Sequence, residues 1–151
     1  MAICDLLDLP RRGVLLGLDP GRRTIGVAAS DHGQLIASPV EALSRGRRLA
    51  PVLSQLEAIA SARTAIGIVV GMPFNMDGSE GPSAQSARAL ARHVSDALGL
   101  PVAFQDERLS TAQAERDMIA SDVRREKRSG LIDASAAAII LQTAIDRLAN
   151  D

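Results

Sequence analysis

The chain has 151 residues, of which 46% are hydrophobic and 23% charged, and this composition predicts a globular protein with one domain spanning residues 1–151. A net charge of -1 and an aromatic content of 1% argue against a strongly basic nucleic-acid binder and against a surface that stacks bases. The longest apolar runs are too short for a membrane span, and a single cysteine excludes an intrachain disulfide, so we expect a cytoplasmic protein.

The first two predicted strands form a hairpin with a carboxylate at its end. Val14 to Leu18 is an apolar run that stops at Asp19-Pro20-Gly21-Arg22. Pro20 presets the backbone for a type II turn, and Gly21 can adopt the positive φ angle that such a turn requires. We therefore expect an antiparallel second strand at Thr24–Ser30. Asp19 has two possible roles: it opens the turn, or it is functional.

The next segments predict a third strand, a helix and a buried strand. Turn residues at 31–33 favour a strand at Gln34–Val40 that pairs back on the second. Apolar residues at helical spacing predict a helix from Leu49 to Ala60. The unbroken apolar run Ala65–Val70 is typical of a central strand covered on both faces.

The second half alternates between helices and one short strand. The loop Gly71–Ser83 is rich in Gly and Pro, and we expect Ser83 to cap a helix that ends at Gly99. A strand at Val102–Asp106 precedes a capping box at Ser110–Gln113. A basic loop at 122–130 then leads to a last helix from about 131 to 149. These elements predict an α/β fold with a five-stranded mixed sheet, its first three strands antiparallel, flanked by helices.

Acidic residues at the ends of predicted elements form the candidate site. A phosphate-binding Walker loop ends in Gly-Lys-Ser/Thr, whereas Gly26 is followed by Val27, so this motif is excluded. No nucleophile elbow for Ser/His/Asp catalysis is present. Asp19, Glu107 and Asp133 remain, although periodicity does not choose between Asp106 and Glu107. Each could be structural, through a turn, an ion pair or a helix dipole. Three converging carboxylates would repel one another unless they share divalent cations such as Mg²⁺ or Mn²⁺, and two such ions about 3.5–4 Å apart can clamp a phosphodiester.

Four ordered motifs make the chain resemble a known family. GLDPGRRTIGVAASD, IVVGMPFNMDGSEGP, QDERLSTAQAE and IDASAAAIILQ are similar to the motifs of the YqgF (RuvX) family, and the resemblance covers residues 14–148. It implies a ribonuclease H-like fold. Members of this family are described as Holliday junction resolvases and as nucleases that mature the 5′ end of pre-16S ribosomal RNA. By this resemblance the family's three acids fall on Asp19, Glu107 and Asp133.

The resemblance implies a metal-dependent endonuclease on structured RNA, or on branched DNA, in which a metal-bound water attacks phosphorus. Arg22, Arg23, Lys127 and Arg128 are the expected contacts to the nucleic-acid backbone. Arg23 stands where many members have Lys, which keeps the charge. Leu131 stands where many relatives have Lys, so a basic side chain near Asp133 must be supplied by Lys127 or Arg128, or be absent.

Three alternatives remain open: a resolvase of branched DNA, a non-catalytic RNA-binding factor of ribosome assembly, and an actin-like phosphotransferase. An actin-like phosphotransferase needs two domains that close over ATP, and 151 residues provide only one domain. We expect pre-16S ribosomal RNA or ribosomal particles as partners, no membrane, and a monomer or weak homodimer.

Overall fold

The computed structural model describes residues 3–75, 77–107 and 125–151, with side chains in the last range from residue 134 onward. Within these ranges six strands form one mixed sheet in the spatial order β1-β6-β5-β2-β3-β4. The strands are β1 (Ile3–Cys4), β2 (Val14–Pro20), β3 (Thr24–Ser30), β4 (Ala37–Ser44), β5 (Ala65–Met72) and β6 (Val102–Asp106). β2, β3 and β4 are antiparallel neighbours, whereas β2, β5, β6 and β1 pair in parallel.

Helices cover both faces of the sheet. Among the described residues these are α1 (Ala50–Arg63), α2 (Pro82–Leu98) and α3 (Arg125–Ala149). α1 and α2 pack on the face that carries Leu16 and Leu18, while α3 packs on the face that carries Leu15 and Val69. No helix in the described ranges combines the length and the apolar character that a membrane crossing requires.

The predicted α/β architecture is confirmed, but the strand number is six rather than five. The extra strand, β1, has two residues and pairs with Val102 and Ala103 at the sheet edge. Two residues are too few to show any periodicity, so the sequence could not predict it. The bounds of β3 and β6 match the prediction, and Gly99 ends α2 with a left-handed φ of 67°.

The starts of β4 and α3 differ from the prediction for local reasons. β4 begins at Ala37 because the Asp31 carboxylate accepts hydrogen bonds from the backbone N–H groups of Leu35 and Ile36 (2.7 and 2.9 Å), while Gln34 has a left-handed φ of 57°. These bonds extend the turn beyond residues 31–33. α3 begins at Arg125 rather than near 131, because Arg, Glu and Lys favour a helix and the cost of one internal Gly, about 1 kcal/mol, is tolerated.

At α2 the predicted N-cap is also wrong, since the helix starts at Pro82 and Gly81 occupies the N-cap position. Pro82 suits the first helical turn because its missing N–H would have no partner there. The predicted loop at 71–83 begins later than expected, because β5 continues to Met72. The predicted capping box at 110–113 lies outside the described residues.

Candidate active site

Asp19 lies near the end of β2, a central strand of the sheet. β2 is hydrogen-bonded to β3 on one side and to β5 on the other. Alternation along a strand puts Asp19 on the same face as Leu15 and Gly17, which is the face that α3 covers. Its side chain is largely buried, with a relative exposure of 6%. The structure thus holds a carboxylate at the carboxyl edge of the sheet, on its α3 side.

Gly17 lets α3 rest directly on the backbone of β2. A Cβ atom at this position would lie 2.7 Å from Leu141 Cβ and 3.0 Å from the Ala137 carbonyl oxygen. The Leu148 carbonyl accepts a hydrogen bond from Arg11 Nη1 (2.9 Å), just before β2 begins. α3 therefore runs antiparallel to β2, and its N-terminal part lies toward the Asp19 end.

Glu107 follows β6 immediately and reaches across a glycine on β5. A Cβ atom at Gly71 would lie 3.4 Å from Glu107 Cγ and 2.7 Å from Ile140 Cδ1. Glu107 is thus on the α3 side of the sheet, as Asp19 is. β5 lies between β2 and β6, so the two acidic residues are separated by two strand spacings, about 9.5 Å between their backbones. The glycine leaves the space between them free of a side chain from β5.

The backbone of Asp133 lies in α3, four residues before Ala137. Four helical residues span about 6 Å, and the two strand residues from Gly17 to Asp19 span about 6.6 Å. Since Ala137 lies over Gly17, Asp133 stands at the level of Asp19 along the sheet. Its side chain is outside the described part of the chain, so convergence of the three carboxylates stays a prediction. Among the described residues no group of three potential metal ligands occurs.

Gln105 is a buried polar residue that the sequence analysis missed. It is 1% exposed, and its Nε2 donates a weak hydrogen bond to the Asp106 carbonyl (3.3 Å). Its Oε1 has no hydrogen-bond partner among the described residues. Alternation places it on the α3 side, two residues before Glu107. A polar side chain at an inward position of an apolar strand is the signal that could have identified it.

These oxygen atoms fit a divalent cation. Asp19 and Glu107 supply carboxylates, and the Gln105 amide oxygen has unused acceptor capacity in the same part of the sheet. Hard divalent cations prefer such oxygen ligands. The donor set contains no described His or Cys on these strand ends, so it consists of oxygen atoms.

The basic residues next to Asp19 occupy the loop between β2 and β3. Arg22 and Arg23 are both exposed. Gly21 is not among the described glycines with positive φ, so the predicted type II turn is wrong; a Cβ there would lie 2.9 Å from the Thr24 carbonyl oxygen. The tight approach of the two strands explains this glycine. Lys127 and Arg128 lie in α3, and their side chains are outside the described residues.

Arg45, which the sequence analysis did not single out, braces this loop. Its Nη1 donates to the Gly21 carbonyl (2.7 Å), and its backbone N–H donates to the Arg23 carbonyl (2.6 Å). The contact spans 24 residues of sequence and depends on the β3–β4 register. A local motif does not reveal it.

Comparison with known proteins gives consistent results. A family model described as "RuvX: Holliday junction resolvase" matches residues 13–147. A protein named "Putative pre-16S rRNA nuclease" from Rhodopseudomonas palustris strain TIE-1 is 56% identical over 140 residues, covering 93% of this chain and 87% of the relative. A protein of the same name from Cereibacter sphaeroides strain ATCC 17029 is 50% identical over 143 residues, covering 95% and 89%.

Among solved structures, Thermus thermophilus RuvC in complex with a Holliday junction substrate has a TM-score of 0.57 at 16% identity, covering 91% of this chain and 96% of RuvC. At that identity the likeness supports the ribonuclease H-like fold alone. The family match and the relatives at 50–56% identity confirm the resemblance found in the motifs. The chain belongs to the RuvX family.

Proposed function

We propose that this protein is a metal-dependent endonuclease that hydrolyses phosphodiester bonds of pre-16S ribosomal RNA in the cytoplasm. The observation that carries the proposal is the position of Asp19 and Glu107 on one face of the sheet, at the ends of β2 and β6, where Gly71 of the intervening β5 has no side chain. Relatives covering more than nine-tenths of the chain are named as nucleases of this RNA.

The acids and bases of the chain have distinct roles in this proposal. Asp19, Glu107 and Asp133 would hold Mg²⁺ or Mn²⁺, which when bound supplies Lewis-acid stabilisation of the charge that develops on the phosphate. Burial of Asp19 within a paired strand fixes its orientation and limits the entropy lost on ligand binding. Arg22 and Arg23, with Lys127 or Arg128, would bind non-bridging phosphate oxygens.

The first experiment removes single charges from the proposed site. Asp19→Asn and Glu107→Gln preserve side-chain size and should each lower cleavage of a 5′-extended 16S precursor RNA by at least about a hundredfold. Glu57→Gln, at an exposed position on α1, is the matched control and should cleave like the wild type. Circular dichroism and thermal melts establish that each variant is folded. Full activity of folded Asp19→Asn would refute the proposal.

The same variants test metal binding apart from catalysis. Titration calorimetry with Mn²⁺ should detect binding to the wild type and to Glu57→Gln but much weaker binding to an Asp19→Asn/Asp133→Asn double variant. Equal binding by all three would contradict the assigned ligands. Metal binding without cleavage of any RNA would instead favour a non-catalytic assembly factor.

A second candidate substrate follows from the family description as a Holliday junction resolvase. A synthetic four-way DNA junction is therefore assayed beside the precursor RNA under identical salt and metal. Faster cleavage of the junction would assign the activity to branched DNA.

A further inference from the structure

A basic pocket lies beside the proposed active site, on the opposite face of the sheet. It has a volume of about 340 Å³ and is lined by Pro20–Arg22, by Arg45 and by Pro82, Ser83 and Ser86 of α2. Pro20 alternates with Asp19 along β2, so it faces the α1–α2 side. The pocket is thus one residue away from the buried carboxylate along the chain, but it opens on the other layer of the molecule.

Arg45 is held in place within this pocket. It is half-buried, and it donates from Nη1 to the Gly21 carbonyl (2.7 Å) and from Nη2 to Ser86 Oγ (3.3 Å). A guanidinium group has five N–H donors, so these two bonds leave others for a ligand. The bonds also fix the plane of the group, which lowers the entropy lost when it binds an anion.

Among the described residues, no acidic side chain lines the pocket. Its lining residues include two arginines and no Asp or Glu. The ion pairs Arg11–Asp151 and Arg88–Glu80 do not involve this pocket. The hydroxyl groups of Ser83 and Ser86 add donors to the lining of the pocket. Two guanidinium groups and two hydroxyl groups around one cavity are suited to a tetrahedral oxyanion such as a phosphate.

We propose that this pocket binds a backbone phosphate of the nucleic-acid substrate other than the scissile one, with Arg45 as its principal contact. This inference rests on the proposed nuclease function and deepens it. Since the carboxylates face α3 and the pocket faces α2, one phosphate cannot occupy both. The substrate strand therefore crosses the carboxyl edge of the sheet, and the loop carrying Arg22 lies between its two points of contact.

The test measures RNA binding as a function of salt. Asp19→Asn serves as the background because it blocks cleavage, and a fluorescein-labelled oligoribonucleotide spanning the 5′ precursor end is the probe. Arg45→Gln in this background should weaken binding roughly tenfold and make the slope of log K against log salt less steep by about 0.7. Arg63→Gln, an equal charge change at the exposed end of α1, should alter neither quantity.

Arg45→Lys separates charge from bracing, because it keeps the cation but loses the planar fork. It should retain the parental slope while binding less tightly. An unchanged slope in folded Arg45→Gln would assign Arg45 only a bracing role and overturn the inference, as would an equal loss in Arg63→Gln. A third result would also overturn the inference: inorganic phosphate stabilises the wild type but not Arg45→Gln, while Arg45→Gln binds RNA as the parental protein does. The pocket would then bind free phosphate. Absence of salt-dependent RNA binding in the parental protein would refute the nuclease proposal itself.

Discussion

Replacing Gly17 with alanine tests whether direct contact between β2 and α3 builds the candidate site. The new Cβ would meet Leu141 Cβ at 2.7 Å and the Ala137 carbonyl oxygen at 3.0 Å. Ordinary contacts between carbon atoms are about 3.5–4.0 Å, so the helix must lift by about 1 Å. Both obstructing atoms are fixed to the helix backbone, and a change of rotamer cannot relieve the overlap.

We expect a cost near the upper end of the usual overpacking range, about 3 kcal/mol. For a domain of this size that corresponds to a fall in Tm of roughly 6–12 °C. A displacement of about 1 Å can also reduce a reaction rate about a hundredfold when it moves a catalytic group. Because α3 carries Asp133, Gly17→Ala should lose cleavage activity below its own melting temperature.

For stability, Gly71→Ala is the matched control, since it adds the same methyl group beneath the same helix. Its activity is not compared, because Gly71 lies between Asp19 and Glu107. Its overlap is with Ile140 Cδ1, the mobile end of a side chain, at 2.7 Å. Gly71→Ala should lower the free energy of unfolding by only about 1 kcal/mol, and a second substitution, Ile140→Val, should relieve most of that loss. By contrast, Leu141→Ala should not rescue Gly17→Ala, because alanine retains the Cβ atom. Thermal and urea denaturation give these free energies. Equal tolerance of both glycine substitutions would refute the reasoning.

Two further predictions concern surface interactions. Backbone N–H groups of Ile36 and Leu35 lower the pKa of Asp31 from its ordinary 3.8, so the stabilisation is present above pH 3.8 and disappears as pH falls through the lowered pKa. The stability deficit of Asp31→Asn at pH 7 should therefore shrink as the pH falls below 3.8, which acid-range thermal melts can measure; a constant deficit would contradict this origin. Arg88 pairs with Glu80 at 2.7 Å and lies 5.1 Å from the Phe104 ring centroid. Arg88→Gln should cost at most about 1 kcal/mol because the pair is partly exposed, with a smaller effect in 1 M salt.

The sequence could predict elements whose signal is local. The apolar runs Val14–Leu18 and Ala65–Val70 define strands, because unbroken hydrophobic segments bounded by turn residues suit a buried sheet. The two-residue β1 and the early start of α3 escaped prediction, since the first depends on pairing with a distant strand and the second on the helix propensity of charged residues, which is a weak signal.

For the candidate site, the sequence supplied the acids but not what surrounds them. Gly17 gave a usable signal, because an isolated glycine in a strand often marks close approach of another backbone. The bracing of Gly21 by Arg45 joins positions that only the folded sheet brings together. Orientation of the Gln105 amide depends on tertiary packing in the same way.

The position of α3 links chain completion to activity. This helix covers the apolar face of Leu15 and Val69, and it also carries Asp133, the third acid of the proposed site. A nascent chain that has emerged only as far as Glu107 would expose that face and hold two of the three acids. Docking of α3 would then cover the apolar face and complete the proposed site in one step. An unfinished molecule near the ribosome would therefore leave the RNA around it intact.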